Sequence, residues 1–392
     1  MSRALEKVRA ENRSILDLTE SNPTRAGIDY PAAELSEILG AGAAQPYEPE
    51  SAGSRVAREA IAAEMALAGS AVDPDDIILT ASTSEAYSFL FKLLADPDDE
   101  IVTHSPSYPL LDHLADLESV KLRRFPLHFH GRWEVETSSL SSAVSERTRA
   151  IVVIHPNNPT GSLIDEIDLR ALEAIATPLD APLISDEVFL DYALPSAKAL
   201  TPSGKGRSSG SNRAHMSLAD RSELPLFTLG GLSKSAGLPH WKLAWIRISG
   251  PPDFRDRARR GLELIADTFL PASGPAQSAL PRLFPLARQI RAAISARLAR
   301  NLGVLESAIG SLSSVSVLPV EGGWSAVLRI PTLSSEEELT IDLLETAGVL
   351  VHPGFFFDFD REGFLVISLL TPPETFEEGV RRLIAHITAR IS

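Results

Sequence analysis

The chain has 392 residues, of which 44% are hydrophobic and 23% charged, with no cysteine and a formal net charge of −15. That length exceeds one small core, and the composition fits a soluble globular protein of two unequal domains. Disulfides, thiolate zinc sites and cysteine nucleophiles are excluded, and the acidic balance argues against nucleic acid or an anionic membrane as partner. No apolar run has membrane-spanning length, and the opening MSRALEKVRAENRSILDL mixes charges with no apolar signal core, so a cytoplasmic location is expected.

In chain order, the first 45 residues show no complete pattern of their own and are expected to pack on the C-terminal part. From residue 77 to 249, short apolar runs follow one another: IILT (77–80), EIVTH (100–104), KLRRFPL (121–127), AIVVIHP (150–156), PLISDE (182–187), LFTL (226–229) and LAWIRIS (243–249). Several are apolar on both faces, as strands buried in a parallel sheet are. Helical segments lie between some of them, as at SEAYSFLFKLLAD (84–96), where Ala86, Phe89, Leu90, Leu93 and Leu94 fall at helical spacing. The expectation is an α/β domain over 46–285 with a mostly parallel central sheet. The stretch 198–223, rich in Ser, Gly and charge, reads as an inserted surface loop. After 285 the texture changes: a helix at 291–310, strands at VSVLPV, WSAVLRI, VLVHPG and FLVISLL, a helix at EEELTIDLLETAG, and another from 373 onward. Residues 286–392 with 1–45 are therefore expected to form a smaller α+β domain.

Polar residues sit just after the apolar runs. Ser82-Thr83-Ser84 follows IILT, Ser107-Tyr108 follows EIVTH, Asn157-Asn158 follows AIVVIHP, Asp186 ends PLIS, and Gly230-Gly231-Leu232-Ser233-Lys234 follows LFTL. If those strands are parallel, five segments meet at one sheet edge, where α/β proteins bind ligands. Ser82 with Glu85 fits a capping box, and the free N–H groups beside it suit a phosphate; a plain helix cap accounts for the same residues. Asp186, at the end of a buried strand, needs a partner such as a protonated ring nitrogen, or caps the next helix. Tyr108 is placed to stack on a planar ring or simply to pack. Asn158 is a turn residue or a donor to a ligand oxygen. Lys234 stands between a buried strand and a glycine-rich turn, a setting for a reactive amine rather than a solvated ammonium. Phosphate, ring, ring nitrogen, ring hydroxyl and an aldehyde for the lysine together describe pyridoxal 5′-phosphate.

With those residues in view, the chain from about Tyr47 onward resembles the class I/II aminotransferases of the fold-type-I pyridoxal-phosphate enzymes. The motifs are Y-x-P-x-x-x-G from Tyr47 with R-x-A-I ending at Ile61, P-S-Y-P (106–109), N-N-P-T-G (157–161), D-E-V (186–188) and S-K-S-x-G-L-P (233–239). The resemblance implies that Lys234 forms the internal aldimine and shuttles the substrate proton, that Asp186 pairs with the pyridinium nitrogen, and that Asn158 bonds the ring 3-oxygen. It also implies that Tyr108 stacks on the ring and that Ser82, Thr83, Ser84, Ser233 and Lys242 surround the phosphate. Tyr47 would reach the neighbouring subunit's phosphate, which implies a homodimer with shared sites. The implied reaction is ping-pong transfer of an amino group from an amino acid to a 2-oxo acid.

Four departures stand out. Phe189 replaces the usual tyrosine three residues after Asp186, which removes a donor to the ring oxygen and predicts a raised aldimine pKa. Gly231 replaces a frequent serine. Lys242 replaces an arginine, a point charge in place of a fork. Val366, in FLVISLL, stands where the family carries the arginine that grips the substrate carboxylate. Arg25 in SNPTRAG, with Asn22 beside it, is the first candidate to replace that arginine; Arg207 and Arg213 are others. Asp267, where the family often places distal specificity groups, disfavours a dicarboxylate donor. A lyase or decarboxylase on the same scaffold is the alternative function, and a non-catalytic cofactor-binding sensor a more distant one. His104, His155 and His352 are too scattered for a metal site, and no metal is expected.

Overall fold

The computed structural model describes residues 2–43, 46–194, 216–270, 272–310 and 314–391. Its strands are Leu16–Asp17 (β1), Ile77–Thr80 (β2), Glu100–Ser105 (β3), Lys121–Phe129 (β4), Trp133–Val135 (β5), Thr148–Ile154 (β6), Leu183–Asp186 (β7), Leu226–Gly231 (β8), Ala244–Ser249 (β9), Ser316–Val317 (β10), Ser325–Arg329 (β11), Val349–Leu350 (β12), His352–Pro353 (β13) and Phe364–Ser368 (β14).

One eight-stranded sheet runs in the order β2-β9-β8-β7-β6-β3-β4-β5. Neighbours from β8 through β4 are parallel, whereas β9 is antiparallel to both β8 and β2, and β5 is antiparallel to β4. Two reversals cancel, so β2 points the same way as β8. The carboxyl ends of β2, β3, β6, β7 and β8 therefore lie along one edge. The apolar runs are continuous because both faces of the sheet are covered. Val102, Ile151, Val153 and Leu183 pack in one core cluster, and Ile101, Ala150, Val152 and Ile184 in another.

A four-stranded antiparallel sheet, β10-β11-β14-β13, is built from the C-terminal part, and β1 pairs with β12 in parallel. The N-terminal segment is tied there: the Ser368 N–H donates to Leu18 O at 2.7 Å. Helices Ser2–Ala10 and Ala32–Gly42 lie in the region that showed no complete pattern in the sequence. The helix expected at 291–310 is in fact Gly274–Ile309, with Pro281 and Pro285 inside it, and it runs unbroken through residue 286. Proline removes a backbone donor and usually ends a helix. Here the stripe Leu280, Leu283, Phe284 and Ala287 is buried against the rest of the core, and that packing outweighs the lost bonds. Among the described residues no helix is long and apolar enough to cross a membrane.

Candidate active site

Lys234 lies in the short helix Leu232–Ser235 that closes β8. Its backbone carbonyl accepts from the Tyr192 hydroxyl at 2.6 Å, which fixes the turn. Its amine sits 4.8 Å from the centroid of the Trp324 ring and 5.4 Å from that of Phe189. Burial among these rings lowers the pKa to about 8, against the opposing pull of the Asp186 charge. A surface lysine titrates far higher, so a much larger share of this amine is unprotonated near neutral pH.

Asp186 is the last residue of β7 and is 9% exposed. Its carboxylate accepts from the Tyr87 hydroxyl at 3.1 Å and from the Val188 N–H at 3.2 Å. Burial raises its pKa to about 6, while those two bonds and the Lys234 charge hold it down. Tyr87 was not singled out in the sequence. It lies one helical turn beyond Ser84, on the face that packs under the sheet edge, and burial with the Asp186 charge keeps its hydroxyl protonated as a donor.

Ser82 caps helix Thr83–Leu94 and accepts from the Glu85 N–H at 3.1 Å. Glu85 reaches back to the Ala81 N–H at 2.6 Å, one residue earlier than a standard capping box. The Thr83 and Ser84 N–H groups have no hydrogen-bond partner among the described residues and point from a helix N-terminus, the ordinary geometry of an anion site.

The two adjacent asparagines divide their work. Asn157 is buried and donates to Pro106 O at 3.1 Å and to the Thr160 hydroxyl at 2.8 Å, so it is structural. Asn158 is half-buried, and its Oδ1 accepts from the Ser325 hydroxyl at 3.5 Å, which leaves its amide N–H groups to donate. Tyr108 is 47% exposed and Tyr47 75% exposed. Ser233 is half-buried beside Lys234, and Lys242 is exposed, in a left-handed backbone conformation. His104 and His155 are fully buried, and each accepts a backbone N–H, from Ile154 and Ile164, at 3.1 and 3.0 Å. They act as structural groups. Among the described residues no cluster of metal-binding side chains forms.

The profile of the family aminotransferase class I and II matches residues 16–383. The chain belongs to this family. It is similar to the alanine aminotransferase of Mycobacterium tuberculosis, at 26% identity over 391 residues, 96% of this chain and 86% of that protein. It is also similar to the S-alkyl-thiohydroximate lyase of Arabidopsis thaliana, at 30% identity over 246 residues, 61% of this chain and 50% of that protein. Among solved structures, an alanine aminotransferase from Pyrococcus furiosus superposes with a TM-score of 0.85 at 24% identity, covering 99% of this chain and 96% of that one. The fold is thus the fold-type-I α/β fold, and the protein is a class I/II transaminase, a family whose members depend on pyridoxal phosphate.

Within this aminotransferase the departures acquire physical causes. A Cβ on Gly231 would lie 2.9 Å from the Ala244 Cβ on β9, so close strand pairing leaves no room for a serine. Arg58, in the early motif, is buried and donates to Gly53 O at 2.9 Å, so it shapes the turn after Tyr47 rather than meeting a ligand. Val366 is 2% exposed and packs with Val327, Phe357 and Phe364. It pairs with Val327 and His352 and stands two residues from Ser368, on the same face of β14, which is the face turned toward Asn158. His352 is half-buried against the Phe356 and Phe357 rings, and burial lowers its pKa. Arg25 is 75% exposed and pairs with Glu20 at 3.3 Å. Asn22 accepts from the Thr24 N–H and hydroxyl at 3.1 and 2.8 Å, an Asx turn that sets the bend before Arg25. Asp267 accepts from the Ser51 hydroxyl at 3.2 Å. Arg207 and Arg213 lie outside the described residues, as does most of the 198–223 segment.

Proposed function

We propose that this protein holds pyridoxal 5′-phosphate on Lys234 and moves an amino group from an amino acid to a 2-oxo acid in two half-reactions. The observation that carries this reading is one sheet edge bearing a desolvated amine, a buried carboxylate and a helix N-terminus with free N–H groups. The residues present fit the group. Thr83 and Ser84 offer unpaired donors for a phosphate, and Ser82, Ser233 and Lys242 are assigned to the same group by the family resemblance. Asp186, held by Tyr87 and Val188, would accept from a protonated ring nitrogen, whose charge would keep the carboxylate ionised. Asn158 would donate to a ring oxygen, and Tyr108, half exposed, would stack on the ring. When bound, pyridoxal phosphate supplies an electron sink for charge that develops at the amino-bearing carbon. Lys234 Nζ would take and return the proton at that carbon, since burial lowers its pKa toward the working range of a general base. Phe189 and Trp324, whose rings meet the Lys234 amine, give the site apolar surface that would exclude water.

Arg25 takes the substrate carboxylate in place of the family arginine. Two observations support this: Arg25 belongs to the segment joined to β14 through the Ser368 bond to Glu20 O, and it pairs with the Glu20 carboxylate. Tyr47, largely exposed in one chain, completes the phosphate site of a second, so the working form is a homodimer. Asp267 favours a neutral or basic donor. A lyase is the second reading; two observations favour it, the apolar Val366 at the arginine position and the similarity to a lyase.

The test is covalent. The protein is incubated with pyridoxal phosphate, reduced with borohydride and digested. The reading expects the cofactor mass on the peptide that contains Lys234. Labelling spread over surface lysines, with Lys234 unmodified, would refute it.

A further inference from the structure

The family hydroxyl that Phe189 lacks leaves a donor to be found. Trp324 is held from both sides. The Gly323 N–H donates to Tyr192 O at 3.0 Å, and Trp324 O accepts from the Leu369 N–H at 2.8 Å. Its ring meets Phe189 and Tyr192 edge-on, with centroids 5.4 and 5.2 Å away and planes at 70° in both cases. The Lys234 amine lies 4.8 Å from its centroid, and the next residue, Ser325, contacts Asn158. The indole thus sits among Lys234, Phe189 and Tyr192, one residue before the contact to Asn158. The side chain is 3% exposed, yet its Nε1–H has no partner among the described residues. A buried donor left unpaired is costly, and native proteins pair the great majority of them.

We propose that the Trp324 indole N–H donates a hydrogen bond to the phenolic oxygen of bound pyridoxal phosphate, in place of the hydroxyl missing at Phe189. This rests on the cofactor reading above. The consequence is electrostatic. The ring oxygen and the lysine nitrogen share a proton, and a donor on the oxygen weakens the hold on that proton. Trp324 therefore offsets the raised proton affinity that Phe189 alone predicts.

Trp133 supplies a control. Its Nε1–H is also unpartnered, but it lies on the edge strand β5 among Phe129, Phe359 and Phe364.

The experiment is an absorbance pH titration of the cofactor-loaded protein, without substrate, for the wild type, Trp324→Phe, Phe189→Tyr and Trp133→Phe. Trp324→Phe keeps an aromatic ring and deletes the N–H. The expected result is a rise of about one pH unit in the apparent pKa, a tenfold gain in proton affinity, with Trp133→Phe unchanged. An unchanged titration in Trp324→Phe overturns the inference. So does an unchanged titration accompanied by a raised KM for amino acids, which would assign the N–H to the substrate. Should Trp324→Phe fold poorly, Phe189→Tyr decides. A shift of only a few tenths of a unit shows an oxygen already served, and a fall of about a full unit or more shows that it lacks a donor and overturns the inference. A wild-type protein with no cofactor band at all would sink the cofactor reading and this inference with it, a result distinct from a band that does not move.

Discussion

Ser325 on β11 stands directly opposite Ser368 on β14, and their hydroxyls tie this strand pair to two different segments. Ser325 donates to Asn158 at 3.5 Å, and Ser368 donates to the backbone carbonyl of Glu20 at 2.7 Å. Glu20 in turn holds Arg25 at 3.3 Å. Glu20 therefore links the Arg25 ion pair to the strand that carries Val366.

That relationship makes Arg25 testable. Arg25→Ala is expected to raise KM for amino acid donors about tenfold or more, with a smaller effect on kcat, as for a residue that binds the substrate carboxylate throughout the reaction. Steady-state kinetics on a panel of donors checks it. An unchanged KM would remove Arg25 from the site and strengthen the case for substrates without an adjacent carboxylate.

Asp186 links function to stability. Its pKa is raised from 3.8 to about 6 in the folded, cofactor-free chain. The folded state then binds the proton more tightly than the unfolded chain, so this group favours folding most below pH 3.8. The advantage disappears as pH rises to about 6. Asp186→Asn removes the dependence. The stability of the mutant relative to wild type, both without cofactor, should grow by about 2 kcal/mol between pH 4.5 and 7.5 in denaturant titrations. The same substitution should lower kcat of the loaded enzyme by about 10²–10³-fold, as loss of one aligned electrostatic group does. A stability difference flat with pH would show that Asp186 is solvated.

Tyr87 supports the carboxylate. Its bond to Asp186 at 3.1 Å opposes the effect of burial. In the cofactor-free chain, Tyr87→Phe is expected to move the pH range over which the Asp186 contribution to stability changes upward by roughly one pH unit, since a bond to a charged group is worth about 1.5–3 kcal/mol before relaxation. A stability profile that stays in place would mean that another donor holds Asp186.

Much of this was legible in the chain, for physical reasons. Strands β2, β3, β6, β7 and β8 were visible because burial on both faces leaves unbroken apolar runs. The polar residues that follow them were visible because a carboxylate or an amine at the end of a buried run needs a partner. Tyr87 and Trp324 were hidden. Each is an aromatic within a core-like pattern, and only the fold shows that the hydroxyl of one meets Asp186 and that the ring of the other faces Lys234. Helix Gly274–Ile309 is expected from the sequence only over 291–310; its first half carries Pro281 and Pro285, whose lost bonds are offset by tertiary packing.

Gly231 tests how far the departures are built in. Gly231→Ser restores the frequent family residue but places a Cβ 2.9 Å from that of Ala244. Overpacking of this kind costs about 1–3 kcal/mol. Denaturant midpoints should fall accordingly, with no gain in cofactor affinity. A stable variant that binds the cofactor more tightly would show that the strand pair can open to admit the serine.

The most direct test of the central claim is a single-turnover absorbance measurement on the cofactor-loaded protein, with amino acids and carboxylate-free amines added separately and no acceptor present. Transamination predicts that an amino acid converts the band to that of the pyridoxamine form and that a 2-oxo acid restores it. Repeated turnover with no acceptor, releasing an oxo product, would contradict that account and place the protein among the lyases.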